Sequence, residues 1–474
     1  MRSIFGDEKM AVFSIVKLSE LEGTKRIDAE YYKPEYLVIK EKLLKTNFVY
    51  FKNLIKEIIH PTEIKREYKE EKQDYLFLLA QNVRPLMIDL SERRYISEEK
   101  AKQLPKNLLE KGDILFVRSG NVGDLTVYTG EPDKCIASAD LLVAKVSFRH
   151  PYYISVFLNT LFGRKILLRG IYSGLQPHIA PTYIKQIPVP IFSEDLMINI
   201  DNIFLQAQDL LKQSQSFYSQ AESLLLEELG LKDFKPKYKK TYTANLSDAF
   251  SGHRIDAEYF QPAYDEVIKN IKNYRGGFDK LLKHVENVEP NFDPTKYPEE
   301  SFCYVELADI DSSIGVIQNT NDIKGQEAPS RARRILKKND VIVSSVEGSL
   351  EKVALADKEH DGCLASTGFF QFRPLKILPE VLLILVKTPV LQSQLKKKCS
   401  GTILTAIPKK SLGDIVIPLL PYPTQQEIAS LIQKSHEARK KAKELLNAAK
   451  KAVEIAIEEG ENDALNYLSK IKIS

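Results

Sequence analysis

Residues 26–36 read RIDAEYYKPEY and residues 254–264 read RIDAEYFQPAY, so eight of eleven positions are identical at an offset of 228. Two unrelated stretches of average composition agree at about one position in twenty, which predicts fewer than one identity over that length. The offset holds within one residue along both halves. KGDILFVRS (111–119) answers KNDVIVSSV (338–346), and CIAS (135–138) answers CLAS (363–366). Tyr172-Ser173-Gly174 answers Cys399-Ser400-Gly401, and IKQIPVP (184–190) answers LGDIVIP (412–418). The chain is a tandem duplication, and its fold must be one fold used twice.

The matched segments are short and β-branched, entered through Lys-Gly-Asp or Lys-Asn-Asp turns and closed by proline, which is the pattern of strands. Each half is therefore expected to be a mixed α/β unit. A long helical stretch follows each. In the first, Ile200, Ile203, Ala207, Leu210, Ser214, Phe217, Ala221 and Leu224 keep a 3-4 spacing; in the second, Ile428, Leu431, Ser435, Ala438, Ala442, Leu445, Ala449 and Ala452 do the same. That is a heptad seam held for four heptads, uninterrupted by Gly or Pro. After the leading isoleucine its first position is always small, which lets two backbones approach closely. The two helices are therefore expected to pack on each other as an antiparallel coiled coil. Residues 196–230 carry a net charge of −4, whereas residues 424–459 hold seven basic and six acidic groups, with Arg439, Lys440, Lys441 and Lys443 clustered. The alternative is that each helix simply covers its own domain. Gly230 and Gly460 stand where helix breakers belong.

The 474 residues, 43% hydrophobic and 28% charged, suit a globular protein of two to four domains and exclude a disordered or fibrous chain. No window of about 18 apolar residues exists, which excludes a spanning helix. The charged N-terminus (MRSIFGDEKM) argues against a secretory signal, so a cytoplasmic location is expected. Cys135, Cys303, Cys363 and Cys399 lie far apart without a C-x-x-C pair, so neither a zinc site nor a disulfide scaffold is expected. A net charge of +4 permits a nucleic-acid partner only if the basic groups are locally concentrated.

The expected order is a recognition domain over 1–192, a spacer helix over 193–231, a basic linker and second domain over 232–420, a second spacer helix over 421–460, and a tail over 461–474. Antiparallel helices would relate the halves by a pseudo-two-fold axis. A helix from Ile200 to Glu228 is about 43 Å long at 1.5 Å per residue, comparable to the ~34–36 Å between half-sites on B-DNA.

This layout resembles the specificity subunit of a type I restriction–modification system. The paired R-I-D-A-E-Y-[YF] openings, K-[GN]-D-[IV] strand entries, [IV]-x-[IV]-P strand endings and following helices carry the resemblance. The second helix also opens on Pro421-Tyr422-Pro423-Thr424-Gln425-Gln426-Glu427-Ile428, close to the family's helix start. The resemblance implies a non-catalytic subunit whose two target-recognition domains each read one half of a split, asymmetric DNA sequence. It implies helices that set the gap and dock two modification subunits, which methylate adenine, with restriction subunits joining the complex. No cofactor belongs to this chain; S-adenosylmethionine, ATP and Mg would be held by the partners.

Two readers of different half-sites need common packing residues and divergent edge-reading ones. In the first half, Arg118, Ser119 and Asn121 lie in the turn RSGNVG, and Arg and Asn can bond guanine and adenine edges bidentately. Gln81, Asn82 and Arg84 follow an expected strand, and Gln176 and His178 lie in SGLQPH. In the second half the equivalent loop offers Ser344, Ser345 and Glu347, while Arg331, Arg333, Arg334, Lys337 and Lys338 form the densest basic run. The plain alternative for each is a solvated surface turn. Tyr31, Tyr32, Tyr259 and Phe260 recur in both halves, which favours core packing over base stacking. The same recurrence gives Asp28, Glu30, Asp256 and Glu258 a capping or ion-pair role rather than catalysis.

No S-adenosylmethionine loop with a [DNS]-P-P-[YF] end, no G-x-x-x-x-G-K-[ST] loop and no H-E-x-x-H is present. Pro132-Asp133 is followed by Val143-Ala144-Lys145, which lacks the second acid of a nuclease. Two rival readings stand beside DNA recognition: a coiled-coil scaffold that binds proteins, and a remnant nuclease.

Overall fold

In a computed structural model, which describes residues 14–18, 21, 26–64, 74–172, 177–232, 234, 238–401 and 405–471, the strand Ile114–Val117 is buried at all four positions. An unbroken apolar run of this kind is what a strand covered on both faces requires. It sits inside an antiparallel sheet ordered Ile55–Ile59, Leu141–Val146, Ile114–Val117, Leu125–Val127. A second sheet pairs Tyr75–Leu78 with Tyr95–Ile96 and, in parallel, with Cys135–Ala137. A two-stranded ribbon joins Phe48–Tyr50 to Pro188–Pro190. The helices Pro151–Leu158 and Leu161–Arg169 follow the sheet. Gly163 is obligatory at their junction, because a Cβ there would lie 2.2 Å from the carbonyl oxygen of Phe157.

These elements belong to one of two units, Met1–Leu210 with Lys441–Ser474; the other is Leu211–Lys440. The second unit repeats the wiring. Val285–Asn287, Phe369–Pro374, Val341–Ser344 and Val353–Leu355 form the same antiparallel order, extended by Val316–Ile317 and Ile310–Asp311. Ser301–Val305 pairs in parallel with Leu364–Ser366, and Phe278–Lys280 pairs with Val416–Pro418. The mixed helix and strand class expected from the sequence is the class observed.

The repeated residues now have physical jobs. Asp113 and Asp340, from the Lys-Gly-Asp and Lys-Asn-Asp turns, accept from the backbone of Glu110 and Lys337, each at 2.8 Å. Each also meets a cation from the neighbouring strand, Lys145 at 2.7 Å and Arg373 at 2.9 Å. Asp28 and Asp256 bind Arg26 and Arg254, each at 2.7 Å, and cap the amides of Tyr31 and Tyr259. The arginines lie over those tyrosine rings, 4.6 Å from each centroid. The capping and ion-pair role expected of these aspartates is the one they have.

The long helices run Glu194–Glu228 and Tyr422–Glu458. Gln425 anchors the second, accepting from Leu378 N at 3.3 Å and donating to the Leu420 carbonyl at 3.0 Å. Gly230 takes φ +65° after the first, with the Leu231 amide returning to the Leu226 carbonyl at 2.6 Å. Residues 461–474 were expected as a tail, but Glu461–Ser469 form a further helix beyond Gly460. A disulfide was not expected either, yet Cys303 and Cys363 are bonded at 2.16 Å. The parallel pairing of Ser301–Val305 with Leu364–Ser366 brings them together across 60 residues of sequence, which spacing alone does not reveal. Among the described residues, no helix is long and apolar enough to cross a membrane.

Candidate nucleic-acid interface

At the end of the strand Ile114–Val117 the chain reverses through Gly120 and Gly123, whose φ values of +91° and +98° lie where side chains are disfavoured. This turn presents Asn121 exposed, with Arg118 and Ser119 half-buried. The Arg118 amide donates to the Asp140 carbonyl at 2.9 Å, and the Arg118 carbonyl meets Nδ1 of His178 at 3.2 Å. His60 reaches the Ala139 carbonyl at 3.0 Å. Three loops separated in sequence therefore converge: 118–121, 138–140 and the one carrying His178. His60 was not expected in this cluster; its only sequence signal is its place at the end of Ile55–Ile59, before Pro61.

The second unit builds the same convergence from other side chains. The Ser345 amide donates to the Gly368 carbonyl at 2.9 Å, and the Ile407 amide donates to the Ser345 carbonyl at 2.9 Å. The Glu347 amide donates to the Thr405 carbonyl at 3.0 Å, and the Thr367 amide to the Arg331 carbonyl at 2.8 Å. Ser345 and Glu347 thus stand where Arg118 and its neighbours stand in the first unit, with exposed Arg331 alongside. The Ser345 hydroxyl already donates to the Gly368 carbonyl at 2.9 Å.

Three expected readers point inward instead. Asn82 is buried, accepting from Leu79 N at 2.9 Å and donating to the carbonyls of Asp89 and Glu92. It caps a turn just as Asp309 does for Glu306 in the second unit. Ser344 is fully buried, its hydroxyl 2.8 Å from that of Ser349. Arg334 is buried and donates to the Val288 carbonyl at 2.5 Å; burial alternates along its strand, and Arg334 falls on the same inward face as Ala332. Burial pushes its pKa below the usual arginine value.

The remaining candidates divide. Gln81 is exposed and bonded to Glu92 at 2.8 Å; Arg84 is half-buried, 3.9 Å from Asp89. Arg333 pairs with Asp293 at 2.5 Å. Lys337 and Lys338 are exposed but lie beside Asp361 and Cys363, at the opposite end of Leu364–Ser366 from Arg331. The strand Ala332–Ile335 thus splits the basic run in two. Gln176 lies outside the described residues.

Of the heptad positions, Ile200, Ile203, Ala207, Ser214 and Ala221 are buried in the first helix, while Leu210, Phe217 and Leu224 are half-buried. In the second, Ile428, Ser435, Ala438, Ala442, Leu445, Ala449 and Ala452 are buried and Leu431 is half-buried. Phe204, beside the seam, stacks on Tyr152 of the helix Pro151–Leu158, with ring centroids 5.4 Å apart. Arg439 of the second helix pairs with Asp311 at 2.5 Å, and Lys440 with Glu359.

Among the described residues no His, Cys, Asp and Glu cluster could hold a metal. Burial pushes the Cys135 and Cys399 thiols up to about 12, which keeps them protonated. The Arg26 guanidinium holds the Asp28 carboxyl below the usual carboxylate range, and Arg254 does the same to Asp256.

Residues 312–450 match the family model described as the type I restriction modification DNA specificity domain. No curated protein matches the chain. A chain from a structure of complex assembly and conformational transition of the type I R-M system is 31% identical, over 38% of this chain and 46% of that one, with a TM-score of 0.31. The match spans less than half of that relative. The S subunit of a type I restriction–modification system from M. genitalium is 12% identical over 90% of this chain and 96% of its own, with a TM-score of 0.41. The HsdS subunit from Thermoanaerobacter tengcongensis is 13% identical over 87% and 96%, with a TM-score of 0.27. The likeness at the level of a family model is thus confined to residues 312–450, which are similar to the type I restriction modification DNA specificity domain.

Proposed function

We propose that this chain is the DNA sequence-recognition and scaffolding subunit of a type I restriction–modification complex. Recognition domains over 1–192 and 232–420 each read one half of a bipartite, asymmetric target, and the helices over 193–231 and 421–460 set the gap. The observation that carries this reading is the loop convergence built twice on one framework with different side chains, Arg118, Asn121 and His178 in one unit and Arg331, Ser345 and Glu347 in the other. Identical scaffolds with unlike tips are what two readers of unlike sequences need.

The chain itself is non-catalytic and cytoplasmic. Its partners are double-stranded DNA, two adenine-modifying subunits docked on the helices, and restriction subunits; S-adenosylmethionine, ATP and Mg belong to those partners. Purified with modification subunits, the complex is expected to methylate one split sequence and to lose DNA affinity steeply as salt rises. A flat salt response without sequence preference would instead favour the protein-binding scaffold.

A further inference from the structure

In each unit the first strand of the larger sheet leads into an exposed polar residue that reaches the loop cluster, and strand register puts the two residues in the same place. Lys145, which meets Asp113, pairs across the sheet with Glu57, and Arg373, which meets Asp340, pairs with Glu286. Two residues on, Ile59 and Val288 are both β-branched and half-buried, and the Val288 amide still donates to the Gln371 carbonyl at 2.8 Å. Three residues on stand His60 and Glu289, both exposed. The frame is kept up to the end of the ladder, and only there does the side chain change in kind.

Each residue is tied to its cluster by a different bond. Nε2 of His60 lies 3.0 Å from the Ala139 carbonyl, in the turn whose Asp140 carbonyl receives the Arg118 amide at 2.9 Å. Glu289 pairs through Oε1 with Lys409, two residues beyond Ile407, whose amide donates to the Ser345 carbonyl at 2.9 Å. A carbonyl oxygen only accepts, so the bonded nitrogen of His60 carries the hydrogen. Its Nδ1 has no partner among the described residues and is an acceptor in the neutral ring. Oε2 of Glu289 likewise takes no hydrogen bond among the described residues. An exposed ion pair is weakly held against water, so Lys409 leaves that carboxylate open to exchange.

Both positions hold out an acceptor, and that decides what each can meet. Phosphate oxygens also only accept, so neither group bonds the DNA backbone, and the Glu289 carboxylate is repelled by it. In the major groove the amino groups at adenine N6 and cytosine N4 donate, whereas guanine offers acceptors at O6 and N7 and thymine one at O4. We propose that His60 and Glu289 are equivalent specificity-determining residues, each accepting from the amino group of an adenine or cytosine in its own half-site. The inference rests on the DNA-reading function proposed above and adds to it the base chemistry of one position in each half.

The test measures binding of the full chain, with its modification subunits, to duplexes in which each base pair of the methylated split sequence is altered singly. The wild-type complex is expected to require an adenine or a cytosine, the panel showing which, at one strand position of each half-site. His60→Ala should relax that requirement by about tenfold in one half and leave the other unchanged, and Glu289→Ala should do the reverse. His60→Lys, which replaces an acceptor by a donor, should turn the preference at that strand position toward guanine. An unaltered preference in His60→Ala, beside a wild-type complex that recognises a split sequence, overturns this inference alone. A loss spread evenly over all duplexes also overturns it, because that is the mark of a backbone contact. A wild-type complex without sequence preference overturns the proposed function and this inference together.

Discussion

Ser214 and Ser435, one from each long helix, meet with their hydroxyl oxygens 3.2 Å apart, and Ser435 also donates to the Ser214 carbonyl at 2.7 Å. A side chain that bonds a facing backbone carbonyl needs the two helices close. Small residues on both sides permit it: Ser214 is 2% exposed and Ser435 0%. Ser435→Leu is expected to cost about 2 kcal/mol or more through overpacking. Ser435→Ala, which gives up the same two hydrogen bonds without overpacking, should cost less, about 1–2 kcal/mol. Urea unfolding of the two variants checks the ordering.

Asp340 carries a different kind of load. Its fully buried carboxylate receives Arg373 at 2.9 and 3.0 Å, Gln371 at 2.6 Å and the Lys337 amide at 2.8 Å. Asp340→Ala strands a guanidinium and an amide together, and should cost about 3–5 kcal/mol. A thermal melt of the variant checks this against the wild-type chain.

His436 gives the second unit a dependence on pH. Burial pushes the pKa of its ring, which meets the Ile314 carbonyl at 3.0 Å, below the ordinary 6.5. Below pH 6.5 the unfolded chain takes up a proton that the folded one resists, so stability is complete above 6.5 and declines as pH falls toward the folded value. His436→Phe should remove that part of the slope. Unfolding midpoints at three pH values between 5.5 and 7.5, for both proteins, give the comparison.

The two loop clusters should behave as separate instruments. Arg118→Ala is expected to relax one base position in one half-site, at about 1–3 kcal/mol. Arg331→Ala should either act on the other half-site or lower the salt slope by about one. Arg334→Ala, being buried, should show itself in stability before specificity. Binding to a panel of singly altered duplexes, repeated at two salt concentrations, distinguishes these effects.

What the sequence disclosed and what it hid follow from the kind of information each residue carries. Duplication exposed the framework. Residues kept in both copies, such as Asp28 with Asp256 and Asp113 with Asp340, have matching bonds in both units. The heptad spacing likewise marked Ala207, Ser214, Ser435 and Ala442, all buried. Orientation at strand ends was not legible. Asn82 reads as an exposed polar residue after a strand, but a turn draws it inward. Only its alignment with Asp309, another short acceptor side chain capping the same turn, hinted at that. Arg334 is a charged residue on the inward face of a short strand, and the Cys303–Cys363 bond depends on a parallel pairing. Neither leaves a periodic trace in the chain.

Modular reading is the proposition on which the functional account depends, and sequencing of methylated sites tests it most directly. The segment from about 245 to 418 would be exchanged for that of a relative, the chain expressed with its modification subunits, and the methylated target compared before and after. One half of the split target should change while the other half and the gap stay as they were. A change in both halves at once, or in neither, would contradict the account.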